Sequence, residues 1–257
     1  MPDTRLPFHA PERRLIAGRG TDERTWNAFG TIDRLAECDV TPWATAYRRI
    51  WLIAPHPDDE ILALGGTMAR LSSLDANLCI VSVTDGEGSH ANSATWPPAR
   101  LAETRPREMR SSLEVLGIDC EILQLGIPDG GVAKHRSELT NALAPHVQGD
   151  DLLLVTCRFD GHPDHEACGD VAMSIARDSD ATVFEYPVWM WHWASPNEPL
   201  IPWQRARRLP LAESTVASKR AAIGKFQSQV EPDGACPAVL PPFVLPRFTR
   251  PYEVVFM

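Results

Sequence analysis

The chain has 257 residues, with 25 Lys+Arg against 34 Asp+Glu for a formal net charge of −9, and is 44% hydrophobic and 23% charged. That balance belongs to a globular chain long enough to bury a core without disulfides or metals. The acidic excess excludes a nucleic-acid groove, which needs clustered Lys and Arg to displace counterions, and no apolar run approaches the ~20 residues that cross a bilayer.

Residues 1–49 are mixed and rich in Arg, Asp and Thr; their opening stretch, MPDTRLPFHAPERRL, lacks the apolar centre of a secretory signal. A short helix is expected near Thr21–Leu35. Ile50–Ala54 is a continuous apolar run, as in a strand buried on both faces. Ile61, Leu64, Met68 and Leu71 recur at helical spacing within Glu60–Leu74. A second buried strand follows at Leu78–Val83, then a long polar loop over Thr84–Pro98. A helix over Leu101–Leu116 stops at Gly117. Cys120–Leu125 reads as a strand, Pro128–Gly131 as a turn and Ser137–Val147 as a helix. Asp151–Cys157 is a strand, His165–Arg177 a helix and Ala181–Pro187 a strand. Beyond residue 188 the order loosens into a Trp-rich stretch, a helix near Glu213–Gln227, a Pro-rich coil and a strand at Tyr252–Phe256. The alternation predicts α/β architecture: a Rossmann-like three-layer sandwich, with a mostly parallel sheet and helices on both faces. The six cysteines contain no CxxC pair. They are expected as reduced thiols of a cytoplasmic protein.

In an open parallel sheet, ligands bind beyond the carboxyl ends of the strands. The segments found there are Pro55-His56-Pro57-Asp58-Asp59-Glu60, Thr84-Asp85-Gly86-Glu87, Gly126–Gly131 and Phe159-Asp160-Gly161-His162-Pro163-Asp164-His165. His56 and Asp59 are three apart at a strand-to-helix junction, which brings both to one side of the first turn; His162 and His165 repeat the spacing. Imidazoles with a carboxylate and no thiolate suit Zn²⁺, and three protein ligands leave a position open for chemistry. Asp58 then projects differently from Asp59 and is available as a general base, while the second histidine of the later pair is free to protonate a leaving group or stabilise an oxyanion. Taken separately, the first segment also reads as a helix N-cap and the second as a turn with two surface histidines. A nucleotide-binding Rossmann site is excluded because no GxGxxG follows the first strand.

HPDDE after an apolar strand, with HPDH downstream, resembles the PIG-L/LmbE-like family of zinc-dependent N-deacetylases. Gly65-Gly66-Thr67, Thr84-Asp85-Gly86-Glu87, Arg105 with Glu108, and Lys219 with Ser228-Gln229 extend the likeness. The resemblance implies an N-deacetylase that removes an acyl group, most simply acetyl, from an N-acetylglucosamine-type amino-sugar conjugate. His56, Asp59 and His165 would bind zinc. Asp58 would be the base, His162 would polarise the carbonyl, and Arg105 and Asp129 would hold the sugar. A catalytically silent carbohydrate-binding module on the same fold is the alternative. The domain is expected over 49–257, with a core at 49–187, a variable part at 188–257 and an N-terminal extension at 1–48. Glu60 reads either as an orienter of a histidine or as a first-turn acid. Phe226 stands where the family commonly has a histidine. Trp189-Met190-Trp191-His192-Trp193, if extended, puts three tryptophans on one face; it is read as core or as a homo-oligomer interface, with a sugar-stacking surface or the lining of an acyl or aryl pocket as the functional alternative. His9, His90, His135 and His146 show no ligand spacing.

Overall fold

The structure, a computed structural model, describes residues 14, 16–28, 30 and 32–257. His9 and most of the opening stretch lie outside them, as do Phe29 and Thr31 of the helix expected near Thr21–Leu35. In chain order the elements are α1 (Glu23–Ala28), β1 (Ala36–Glu37), α2 (Trp43–Ala46), β2 (Ile50–Ala54), α3 (Asp59–Ser72), β3 (Leu78–Ser82), α4 (Pro98–Leu116), β4 (Glu121–Gln124) and α5 (Arg136–Leu143). There follow β5 (Leu152–Thr156), α6 (Pro163–Ser179), β6 (Thr182–Tyr186), α7 (Met190–Trp193), β7 (Ala206–Pro210), α8 (Glu213–Ile223), α9 (Gln227–Val230) and β8 (Tyr252–Phe256).

One eight-stranded sheet runs β1-β7-β8-β6-β5-β2-β3-β4. The five strands from β4 through β3, β2 and β5 to β6 are mutually parallel, and β8 is antiparallel to both β6 and β7. The chain leaves β2 toward β3 and β4, then returns to β5 on the other side of β2. Strand order therefore reverses between β2 and β5, and a crevice opens at their carboxyl ends. The two histidine motifs begin there.

The continuous apolar strands feed two cores because their side chains alternate. Ile50, Leu52 and Ala54 of β2, with Leu152 and Leu154 of β5, join Met68, Leu71, Met109 and Leu113 of α3 and α4. Trp51 and Ile53, with Leu153 and Val155, face Leu139, Leu143, Val171 and Ile175 of α5 and α6. This is the three-layer sandwich expected from the sequence. No helix of the described residues is long and apolar enough to cross a membrane. The segment before β2 packs into the first core: Trp26 is 1% exposed, its indole donates to Trp191 O, and Glu23 accepts two bonds from Arg250.

Helix α3 is broken at Leu64, whose φ of −130° is not helical. A second helical start then needs partners for its free amides. Glu253 of β8 supplies them, accepting from Gly66 N and Thr67 N at 2.8 Å each. Lys219 of α8 neutralises the same carboxylate at 2.6 Å. Residue 66 must be glycine for this approach, since a Cβ there would meet Leu211 Cδ2 at 2.7 Å and Glu253 Oε1 at 3.2 Å. Lys219 and Glu253 are both buried, so removing one partner strands the other charge. Glu253→Ala is expected to cost about 3–5 kcal/mol of unfolding free energy by denaturant titration. Pairing Glu253→Gln with Lys219→Met should cost clearly less. A loss under about 1 kcal/mol for Glu253→Ala would show that the cap is dispensable.

Candidate metal centre and catalytic cavity

His56 leaves the end of β2, and Asp59 opens α3 one turn later. His162 is the N-cap of α6 and is held extended (φ −95°, ψ 129°), as the following Pro163 requires; His165 lies in that helix's first turn. The reversal of strand order brings these residues together. His56 Nδ1 lies 3.2 Å from His165 Nε2 and 3.4 Å from Asp59 Oδ2, and His165 Nε2 lies 3.2 Å from Asp59 Oδ2. A tetrahedral cation with bonds of about 2.0–2.1 Å needs ligand atoms about 3.3–3.4 Å apart. The triangle fits such an ion. The rings of His56, His162 and His165 also offer nitrogen atoms within 4.8 Å of one another, so His162 borders the same point.

The opposite edge of each donor ring is held by carboxylates. His165 Nδ1 donates to Asp160 Oδ2 at 2.7 Å, which turns Nε2 toward the triangle. His56 Nε2 meets Asp129 Oδ1 at 3.0 Å and Asp164 Oδ2 at 3.3 Å. Five acids, Asp58, Asp59, Asp129, Asp160 and Asp164, thus crowd a site whose one permanent cation among the described residues is Arg105. With protons as the only other source of positive charge, the histidines take them up. Burial works against protonation of His165, but Asp59's charge and Asp160's hydrogen bond push its pKa up to about 9. His56 rises well above the usual histidine value for the same reason, with Asp129, Asp164 and Asp59 outweighing burial. Burial also works against ionisation of Asp59, yet His165 and His56 hold its pKa low. The site demands positive charge between these three side chains, and a divalent cation meets that demand as well as protons do.

Asp58 faces the same space in a different setting. Burial pushes its carboxyl up to about 6, Arg105 opposes the rise and Asp59's charge adds to it. Arg105, 3% exposed, donates from Nη2 to Asp58 Oδ2 at 2.8 Å and from Nη1 to Gly86 O at 2.8 Å. Gly86 has φ +68°, and a Cβ there would meet Arg105 Nη1 at 2.0 Å, so the guanidinium reaches Asp58 only past a residue without a side chain. Glu60 accepts the Asp58 amide at 3.1 Å. That resolves its two readings toward backbone support.

His162 Nδ1 accepts the Asp164 amide at 3.3 Å, so a neutral ring carries its proton on Nε2. Burial, and after it the charges of His165 and His56, hold its pKa down to about 3. His162 is therefore a neutral N–H donor. It lines a cavity of about 410 Å³ together with His56, Asp58, Asp59, Arg105 and Asp129. Every residue singled out from the sequence for the site thus reaches one cavity or its floor. Arg105 and Asp129, read as sugar ligands, spend most of their polar atoms on Asp58, His56 and Gly88 N.

Two residues of the site went unassigned in the sequence. Asp160 is fully buried and also accepts the amides of Val188, Trp189 and Met190 at 2.8–3.0 Å. Asp164 accepts from Gly130 N and Val132 N while meeting His56. The only local signal is that the second motif carries two more carboxylates than its histidines need. The Trp-rich stretch is not extended: Met190–Trp193 is helical, so the three tryptophans do not share a face. Trp191 packs edge-on to Trp26 at 5.1 Å, Trp193 donates to Asp160 O, and Trp189 lines the cavity. His192 is a satisfied buried histidine, meeting Ala17 O and Arg247.

Comparison with known proteins agrees with this geometry. Residues 51–176 match the family described as PIG-L: GlcNAc-PI de-N-acetylase. The chain is 33% identical over 158 residues to 1D-myo-inositol 2-acetamido-2-deoxy-alpha-D-glucopyranoside deacetylase 1 of Catenulispora acidiphila, covering 51% of this chain and 49% of that protein. The corresponding deacetylase of Thermobifida fusca is 27% identical over 229 residues, covering 74% and 73%. The fold is similar to that of a conserved protein of Thermus thermophilus, with a TM-score of 0.52 at 26% identity over 70% of this chain and 79% of that one. The chain spans about half the length of the first of these relatives. The span that matches the PIG-L family, residues 51–176, contains the whole donor triangle and Asp58.

Proposed function

We propose that the chain is a zinc-dependent hydrolase that removes an N-acyl group, acetyl in the simplest case, from an N-acetylglucosamine-type amino-sugar conjugate. The observation that carries this reading is the triangle of His56, Asp59 and His165 donors set beside a base and a neutral N–H donor in one cavity. Zinc held by those three residues would act as a Lewis acid toward the amide carbonyl and lower the pKa of a bound water toward ~7.

The chain's own residues supply the proton transfers. Arg105 grips Asp58 at Oδ2, and no hydrogen bond from a described residue engages Oδ1, which is free to take a proton from the attacking water. A divalent charge on the triangle would oppose the rise of the Asp58 pKa and keep the carboxylate ionised and ready to accept. As the water oxygen bonds to the carbonyl carbon, negative charge grows on the carbonyl oxygen, and His162 Nε2–H donates to it. The C–N bond then breaks, and the proton held by Asp58 passes to the departing nitrogen. The products are a carboxylate and a free amino sugar. A base gripped this firmly has no use in a silent sugar-binding module. The free cysteines fit a reducing compartment, and we place the protein in the cytoplasm on that ground.

Amine release from N-acetylglucosamine and its glycosides, measured with the zinc-loaded chain, tests the reading. Asp58→Asn should keep zinc at wild-type stoichiometry and lose about 10²–10⁴ in kcat; wild-type turnover in this variant would remove Asp58 as the base. His165→Ala should lose the metal itself, seen by elemental analysis after dialysis. Zinc retained at full occupancy there would break the proposed ligand set.

Asp160→Asn gives a further outcome that does not depend on turnover. With its oxygen kept by Val188 N and Met190 N, the amide nitrogen faces His165 Nδ1 and drives the ring proton to Nε2. Zinc affinity, read by competition with a chromophoric chelator, should fall by about 10–100-fold. Unchanged affinity would mean that Asp160 serves only the backbone of residues 188–190.

A further inference from the structure

The cavity's lining is mixed: His56, Asp58, Arg105, Asp129 and His162 offer polar groups, and Ile16, Leu62, Val188, Trp189, Val239 and Leu240 offer apolar ones. These six form an apolar wall: Leu62, Val188 and Leu240 are nearly fully buried, at 2%, 1% and 1% exposure, and the surface open to a ligand comes mainly from the partly exposed Ile16, Trp189 and Val239. An N-acetylglucosamine ring can lay one C–H face on Trp189, but its hydroxyl edges gain nothing from the rest of the apolar lining. Solvating it is unfavourable, and an alkyl or aryl group covering it removes that cost.

The wall's outermost piece comes from the segment ahead of α1. That segment is strapped down beside the site. Arg14 pairs with Glu166 in the first turn of α6, His192 Nε2 meets Ala17 O at 3.1 Å, and Arg247 Nη2 donates to Arg19 O at 2.7 Å. Thr21 N donates to His192 O and Thr21 Oγ1 to Ala194 O, at 2.8 and 2.6 Å. These bonds bracket Ile16, which lines the same cavity as Val188 and Trp189, and Asp160 fixes the backbone of those two. Across the cavity, Leu240 N donates to Gln229 O at 2.8 Å, so the wall's other edge is tied to its polar floor.

We infer that the substrate is an amino sugar bearing an apolar alkyl or aryl group, and that Ile16 is a specificity-determining residue that completes the wall on which this group packs. The inference rests on the hydrolase reading above. The apolar group has two sources, an aglycone on the sugar or a longer chain on the amide, and both offer the same surface to the wall.

The test uses the zinc-loaded full chain with two substrate pairs: the methyl and hexyl glycosides of N-acetylglucosamine, and N-acetyl- against N-hexanoylglucosamine. Burial of each methylene is worth about fourfold. The long member of one pair should therefore exceed its short partner by at least tenfold in kcat/KM, and the responding pair names the source. Ile16→Asp should collapse that ratio toward unity, and Ile16→Leu should keep it. Equal kcat/KM within both pairs, or a ratio that survives Ile16→Asp, overturns the inference while leaving the hydrolase reading standing. No amine release from any of the four would instead overturn the hydrolase reading. Calorimetric binding of hexyl against methyl glucosaminide, with the same two variants, then decides the wall by itself.

Discussion

One buried carboxylate joins the chemistry of this protein to its architecture. Asp160 accepts four hydrogen bonds in the space of two oxygens, from His165 Nδ1 and from the amides of Val188, Trp189 and Met190. The first bond fixes the tautomer and direction of a ring in the donor triangle. The other three set the path of the chain as it leaves β6, and so decide where Trp189 and Val188 stand in the cavity. Buried carboxylate oxygens need donors to replace the water they have lost. Meeting that need binds the loop after β5 to the loop after β6. The strap before α1 is anchored in turn on that second loop, through His192 and Ala194.

Charge balance explains why so many acids tolerate one another here. Carboxylates brought together without compensation would protonate or separate. They hold their positions because two histidines and one arginine stand among them, and because the histidine donors converge on a point where a cation relieves all of them at once. A divalent ion held there would compete with protons, and metal affinity would be coupled to pH through His56 and His165. Glu253 and Lys219 solve a smaller version of the same problem at the break in α3, where a carboxylate takes the place of missing helical carbonyls and a lysine balances it.

What could be read from the sequence follows the range of the forces involved. The parallel strands and the metal-ligand spacing are local patterns, and Ile50–Ala54, His56/Asp59 and His162/His165 stand where the pattern puts them. Asp160 and Asp164 escaped because the amides they serve, at 130, 132 and 188–190, are distant in sequence. The break at Leu64 is invisible since Ile61, Leu64, Met68 and Leu71 keep helical spacing through it. Strand β7, Ala-Arg-Arg-Leu-Pro, has neither an apolar run nor clean alternation; it becomes a strand because β8 pairs with it along its whole length. The tryptophans mislead in the opposite direction: a strand-like alternation is overridden by the amide bonds to Asp160, which start a short helix at Trp189.

The division of labour along the chain follows from these constraints. The donor triangle, the proposed base Asp58 and the proposed N–H donor His162 all fall within residues 51–176, on segments that the reversal of strand order compels to meet. The apolar wall is drawn largely from elsewhere: Ile16 precedes that span, and Val188, Trp189, Val239 and Leu240 follow it. Chemistry placed at a sheet's switch point is sensitive to small displacements, because three donors must stay within a few tenths of an ångström of one another. A wall built from a strap and a C-terminal coil can change residue by residue without moving a strand. Tying it to the centre through one carboxylate, Asp160, would let substrate choice vary while the proposed reacting groups keep their places.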